Sequence, residues 1–143
     1  MIKNFTLSLR LSHIRLSAEE IISMASLEIV PSTTISVGKS RLLKDGSETK
    51  PPPRSIVRYQ LTEQFLERSD QGKINDEILQ QVEKLKKHQN FFNKFYAIDG
   101  ISSLGLAVFS QNLYGNLSLN RYAISVLSQL HINSQIYFYS LES

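Results

Sequence analysis

Phe5-Thr6-Leu7-Ser8-Leu9-Arg10-Leu11-Ser12 alternates apolar and polar residues without a break. A two-residue period sends successive side chains to opposite faces of a strand. Phe5, Leu7, Leu9 and Leu11 therefore need a cover, whereas Thr6, Ser8, Arg10 and Ser12 tolerate water. The elements that supply the cover should be amphipathic and should follow along the chain.

The first follows at once. Leu16-Ser17-Ala18-Glu19-Glu20-Ile21 carries a capping box, with Ser17 as N-cap, Glu20 reaching back to the Ser17 N–H, and Leu16 stapled to Ile21. Ala18, Ile21, Ile22 and Ala25 make its apolar stripe, and Glu19 suits the positive end of the helix dipole. Pro31 requires the helix to end before it. Residues 32–55 read as a long connection with a short extended piece at 34–37, a turn at Asp45-Gly46 and an extended Pro51-Pro52-Pro53. Residues 56–61 predict a second strand, with Val57, Tyr59 and Leu61 on one face and Arg58 and Gln60 on the other.

From residue 75 the period becomes helical. Ile78, Val82, Leu85, Phe92 and Phe95 predict one long helix, started by Asn75 or Asp76 and ended at Asp99-Gly100, with Lys84, Lys86, Lys87 and His88 on its solvated face. Leu104-Gly105-Leu106-Ala107-Val108-Phe109 is apolar on both sides and predicts a strand inside the sheet. Tyr114-Gly115-Asn116 turns the chain into a third helix, capped by Ser118 with a Leu117–Tyr122 staple, whose Ala123, Val126, Leu127 and Leu130 face the core. Residues 135–141 form the last strand, Ile136 and Phe138 on one face and Tyr137 and Tyr139 on the other. The order βαβαβαβ predicts a single α+β domain, a four-stranded mixed or mostly antiparallel sheet with three helices.

The 143 residues suit one core rather than two, and 41% hydrophobic with 20% charged residues is ordinary globular composition. No apolar run approaches the roughly 18 residues of a membrane span. Met1-Ile2-Lys3-Asn4 leads straight into the first strand rather than an apolar signal segment, so a cytoplasmic protein with no membrane partner is expected. The absence of cysteine removes disulfides, thiolate ligands and a cysteine nucleophile. A net charge of +3 and a pI near 9.2 are mildly basic and direct attention to where the charge sits.

Leu27-Glu28-Ile29-Val30-Pro31-Ser32, then Gly38, Arg58-Tyr59-Gln60-Leu61, a long helix, and Leu130-His131-Ile132-Asn133-Ser134-Gln135-Ile136-Tyr137-Phe138-Tyr139 together resemble a bacterial domain family of unknown function, number 4279. The resemblance runs over almost the whole chain. Tyr59 stands where that family has a tryptophan, and Tyr137 where it has an aspartate. Some members look like small proteins encoded beside polymorphic toxins, so the resemblance implies an immunity role with a cognate toxin domain as partner.

Catalytic chemistry finds no constellation. Gly38-Lys39-Ser40 ends like a phosphate loop, but Thr33 occupies the position where that motif needs its first glycine. His13, His88 and His131 stand singly, without the spacing of metal ligands, so neither metal nor cofactor is expected. Glu20 is used by the capping box, and Asp70, Asp76 and Asp99 fall at turns or helix ends, which leaves no candidate pair for acid–base catalysis. A non-enzymatic binding protein is the expectation. The candidate contacts are the basic stretch Lys39, Arg41, Lys44, Lys50, Arg54 and Arg58, with Tyr137 and Tyr139 either exposed as anchors or packed under the 32–55 loop. A protein partner is favoured over nucleic acid, because residues 32–58 hold no aromatic on which a base could stack.

Overall fold

The computed structural model describes residues 2–65, 71–110 and 119–140. β1 (Ile2–His13) lies at the centre of a five-stranded mixed sheet. Antiparallel neighbours flank it, β3 (Ser55–Phe65) on one side and β4 (Ile101–Ser110) on the other. The short β2 (Thr33–Ile35) pairs antiparallel with β3 at one edge, and β5 (Ile132–Ser140) pairs parallel with β4 at the other. Phe5, Leu7, Leu9 and Leu11 are fully buried, as the alternation in β1 requires.

Four helices cover that apolar row: α1 (Ala18–Ala25), α2 (Gln71–Lys86), α3 (Gln89–Ala97) and α4 (Arg121–Gln129). Their stripes join the inward residues of β1, β3, β4 and β5 in one continuous core. α1 packs on β3 and α3, α3 on β4, and α4 on β5 and α2. Among the described residues Tyr59 is the largest wholly buried side chain and its hydroxyl meets no partner, and burial pushes its phenol upward. None of the described helices is long and apolar enough to cross a membrane.

The α+β class and the mixed sheet agree with the sequence, whereas the count of four strands and three helices does not. The added strand, β2, has only three residues, too few to show a period, and lies partly inside the expected 34–37 piece. The added helix comes from a break at Lys87-His88, where the His88 N–H bonds Leu85 O. In one unbroken helix Phe91 would lie about 120° around from Leu85. The break turns it inward beside Phe92 and Phe95. α2 also starts upstream of Asn75 and Asp76, because Ile74 extends the buried stripe by a turn, so those residues lie within the helix and do not cap it. α4 is capped by Asn120, whose side chain accepts from Tyr122 N at 2.8 Å. Asp70, the Tyr114-Gly115-Asn116 turn, Leu117, Ser118 and Leu141 lie outside the described residues.

Both halves of the capping box at α1 form: Glu20 N donates to Ser17 Oγ at 3.1 Å, and Ser17 N to Glu20 Oε1 at 3.3 Å. Ser17→Ala should therefore lower the unfolding free energy by about 1 kcal/mol in urea titrations. A loss below about 0.3 kcal/mol would mean that the box is not made in solution.

Candidate functional site: the open face of the sheet

The four described helices share one core on one side of the sheet, and none of them covers the opposite face. A trough of about 350 Å³ runs over it, and its described lining consists of strand residues. β1 contributes Thr6, Ser8 and Arg10; β2 and β3 contribute Thr33, Ile56 and Arg58; β4 and β5 contribute Ser103, Gly105, Ala107, Gln135, Tyr137 and Tyr139. Among these residues there is no carboxylate.

Register sets the charge. Arg10 of β1 lies directly opposite Arg58 of β3, and directly opposed like charges destabilise a sheet unless an anion intervenes. Arg58 Nη2 donates to Ser8 Oγ at 3.3 Å, and Arg54 Nε donates to Ser12 Oγ at 2.7 Å. The two guanidinium groups thus lie down on the sheet, which explains why Ser8 and Ser12 are buried on a face that no helix covers. Arg54 Nη2 is buried with no hydrogen-bond partner among the described residues.

The aromatic groups stand at the other end of the trough. Tyr137 is 46% exposed and Tyr139 49%. The Tyr139 ring stacks on Phe109 of β4 with centroids 5.0 Å apart and 16° between planes. Tyr137 leans over Gly105, where an added Cβ would stand 3.7 Å from Tyr137 Cε2, and its hydroxyl donates to Gln135 Oε1 at 2.8 Å.

The sequence candidates divide in two. Arg58, Tyr137 and Tyr139 come together in the trough, and Arg54 lies outside its lining, bonded to Ser12. Tyr137 and Tyr139 are not packed under the 32–55 loop, because that loop leads into β3 through β2 at the opposite edge of the sheet. Lys39, Arg41 and Lys44 do not line the trough; they are exposed on a small hairpin closed by a Leu42–Glu48 bridge. Its tip is the Asp45-Gly46 turn, where Ser47 hydrogen bonds hold the Asp45 carboxyl below its usual value. Lys39 belongs electrostatically to the start of α1: the Glu19 carboxyl is lowered chiefly by a backbone hydrogen bond, with the Lys39 charge adding to it. Gly38 is an exposed turn residue whose N–H is bonded to Pro52 O, so Gly38-Lys39-Ser40 cradles nothing. Arg10 stands in the polar row of β1 in the sequence, where nothing marks its pairing with Arg58. Among the described residues no three His, Asp or Glu side chains gather as metal ligands would.

No family model, no curated protein and no solved structure matches this chain. The resemblance to family 4279 therefore rests on the quoted residues alone, and the function has to be argued from the trough.

Proposed function

We propose that the protein is a non-catalytic binding protein whose partner docks on the open face of the sheet. The observation that carries this reading is Arg10 set against Arg58 in a trough that also holds Tyr137 and Tyr139 and, among its described lining, no acid. Arginine and tyrosine are the residue types that dominate binding hot spots, and both are here fixed on strands rather than on loops. The chemistry asks for an anionic partner of extended shape. A cognate toxin domain presenting an acidic segment would meet it, which is the form the immunity role would take; copurification with the product of the adjacent gene tests that form.

The face itself is tested with immobilised heparin as a generic polyanion. The wild type should be retained at low salt, and Arg10→Glu with Arg58→Glu should elute at clearly lower salt. Lys84→Glu on α2 with Lys87→Glu in the break after it, and Lys39→Glu with Lys44→Glu on the hairpin, change the formal charge equally and should shift elution less. Equal shifts in all three variants would sink the assignment of the trough.

A further inference from the structure

We infer that the occupant of the trough is single-stranded RNA, its phosphates held by Arg10 and Arg58 and its bases stacked on Tyr137 and Tyr139. This rests on the open face being the docking surface and names its ligand. An acidic peptide could use the arginines and bury the tyrosines as anchors, and polyglutamate is the probe for it; what favours nucleobases is flat ring surface, Tyr139 backed by Phe109 and Tyr137 lying over Gly105. Base stacking needs a ring with one face open and the other supported, and the Phe109–Tyr139 pair offers that arrangement.

Spacing agrees. Along the register Arg10 pairs with Ser103, Ser103 with Asn133, and Tyr137 lies four residues further along β5. Four residues at about 3.3 Å and two strand spacings of about 4.8 Å separate the Arg10 and Tyr137 backbones by roughly 16 Å, a distance that a few nucleotides cross. Between the two ends lie uncharged hydrogen-bonding groups, Thr6, Ser103 and Gln135. A ribose 2′-hydroxyl both donates and accepts, so RNA can bond these groups in place of water with a hydroxyl that DNA lacks. A rigid duplex would present its bases edge-on and inaccessible to stacking, which selects the single strand.

The test is fluorescence anisotropy with a labelled RNA of about 12 nucleotides, within the length range of single-strand platforms. Binding should be micromolar or tighter at low salt, with log K falling against log salt at a slope near −1.4 for two phosphate contacts at about −0.7 each. Arg10→Gln with Arg58→Gln should flatten that slope. Tyr137→Ala with Tyr139→Ala should weaken binding at least tenfold while leaving the slope and the melting temperature unchanged, and the double Tyr→Phe variant should bind within about threefold of wild type. The chain has no tryptophan and six tyrosines, so RNA should quench part of the tyrosine emission, and that part should be missing in the Tyr137→Ala, Tyr139→Ala variant. DNA of the same sequence, duplex RNA or polyglutamate binding as tightly as the RNA would overturn the inference, as would alanine variants that bind like wild type. If heparin retention still depends on Arg10 and Arg58 in that event, the docking face stands and only its ligand is wrong.

Discussion

Replacing His13 with alanine is expected to lower folding stability by about 3 kcal/mol or more, a large effect for a residue remote from the binding face. His13 ends β1 and is 1% exposed. Its Nδ1 accepts from Arg15 N at 2.9 Å and Leu16 N at 3.0 Å, so that nitrogen carries no hydrogen, and Nε2–H donates to Ile98 O at 2.6 Å. One ring therefore ties the end of β1 to the turn entering α1 and to the turn leaving α3, while it packs against Phe95 at 5.8 Å. Alanine would leave the Arg15 and Leu16 N–H groups to find other partners, would leave Ile98 O with only the long 3.4 Å bond from Arg15 Nη2 among the described residues, and would open a void beside Phe95. His13→Asn keeps an acceptor near the position of Nδ1 and should recover part of the loss. Urea unfolding should rank wild type above Asn above Ala; an alanine variant within about 1 kcal/mol of wild type would show that water replaces the ring at little cost.

Much of the fold is legible because local rules and tertiary demands coincide. β1 shows its period, α1 its capping box, and α4 its Ala123, Val126, Leu127 and Leu130 stripe, all four of which are buried. What escapes the sequence depends on distant partners. The break at Lys87-His88 exists to bring Phe91 inward, a need set by the sheet and not by the helix. The parallel direction of β5 follows from the α4 crossover, and hydrophobic pattern does not encode strand direction. β4 does lie inside the sheet, as Leu104 to Phe109 being apolar on both sides suggests; of its outward residues Gly105 and Ala107 line the trough and Phe109 stacks on Tyr139.

The site follows the same division. Tyr137 and Tyr139 can be placed on the open face as soon as Ile136 is assigned to the helices, since neighbours on a strand alternate. Arg58 follows likewise from Val57 and Tyr59. The pairing of Arg10 with Arg58 cannot be read locally, because the register between β1 and β3 shifts between Leu7 and Ser8, and a slip of one residue would exchange every face. Charge density along the chain misleads for a related reason. Lys39, Arg41 and Lys44 are near Arg54 and Arg58 in sequence, but the Leu42–Glu48 hairpin keeps them off the sheet.

The second large effect is expected at Gly100, where alanine should cost about 3 kcal/mol, the upper end of what overpacking a core usually costs. Gly100 is buried at the junction of α3 and β4, and its N–H donates to Phe95 O at 2.8 Å. An added Cβ would stand 2.6 Å from both Cε2 and Cγ of the Phe95 ring. Phe95 cannot retreat: it is fully buried, stacked on Phe91 at 5.2 Å and in contact with His13 on another side. The clash must then be relieved by shifting the turn, and that turn carries the Ile98 carbonyl that His13 holds. Gly100→Ala should thus also weaken the His13 bond, which makes the two sites interdependent. Combining Gly100→Ala with Phe95→Leu, which shortens the ring's reach, should cost at least about 1 kcal/mol less than the sum of the two single changes, and Gly100→Ala with His13→Ala should likewise fall short of additivity. Simple additivity in both cycles, or a Gly100→Ala variant within about 0.5 kcal/mol of wild type in urea unfolding, would mean that the turn gives way freely and that His13 and Phe95 are not held against it.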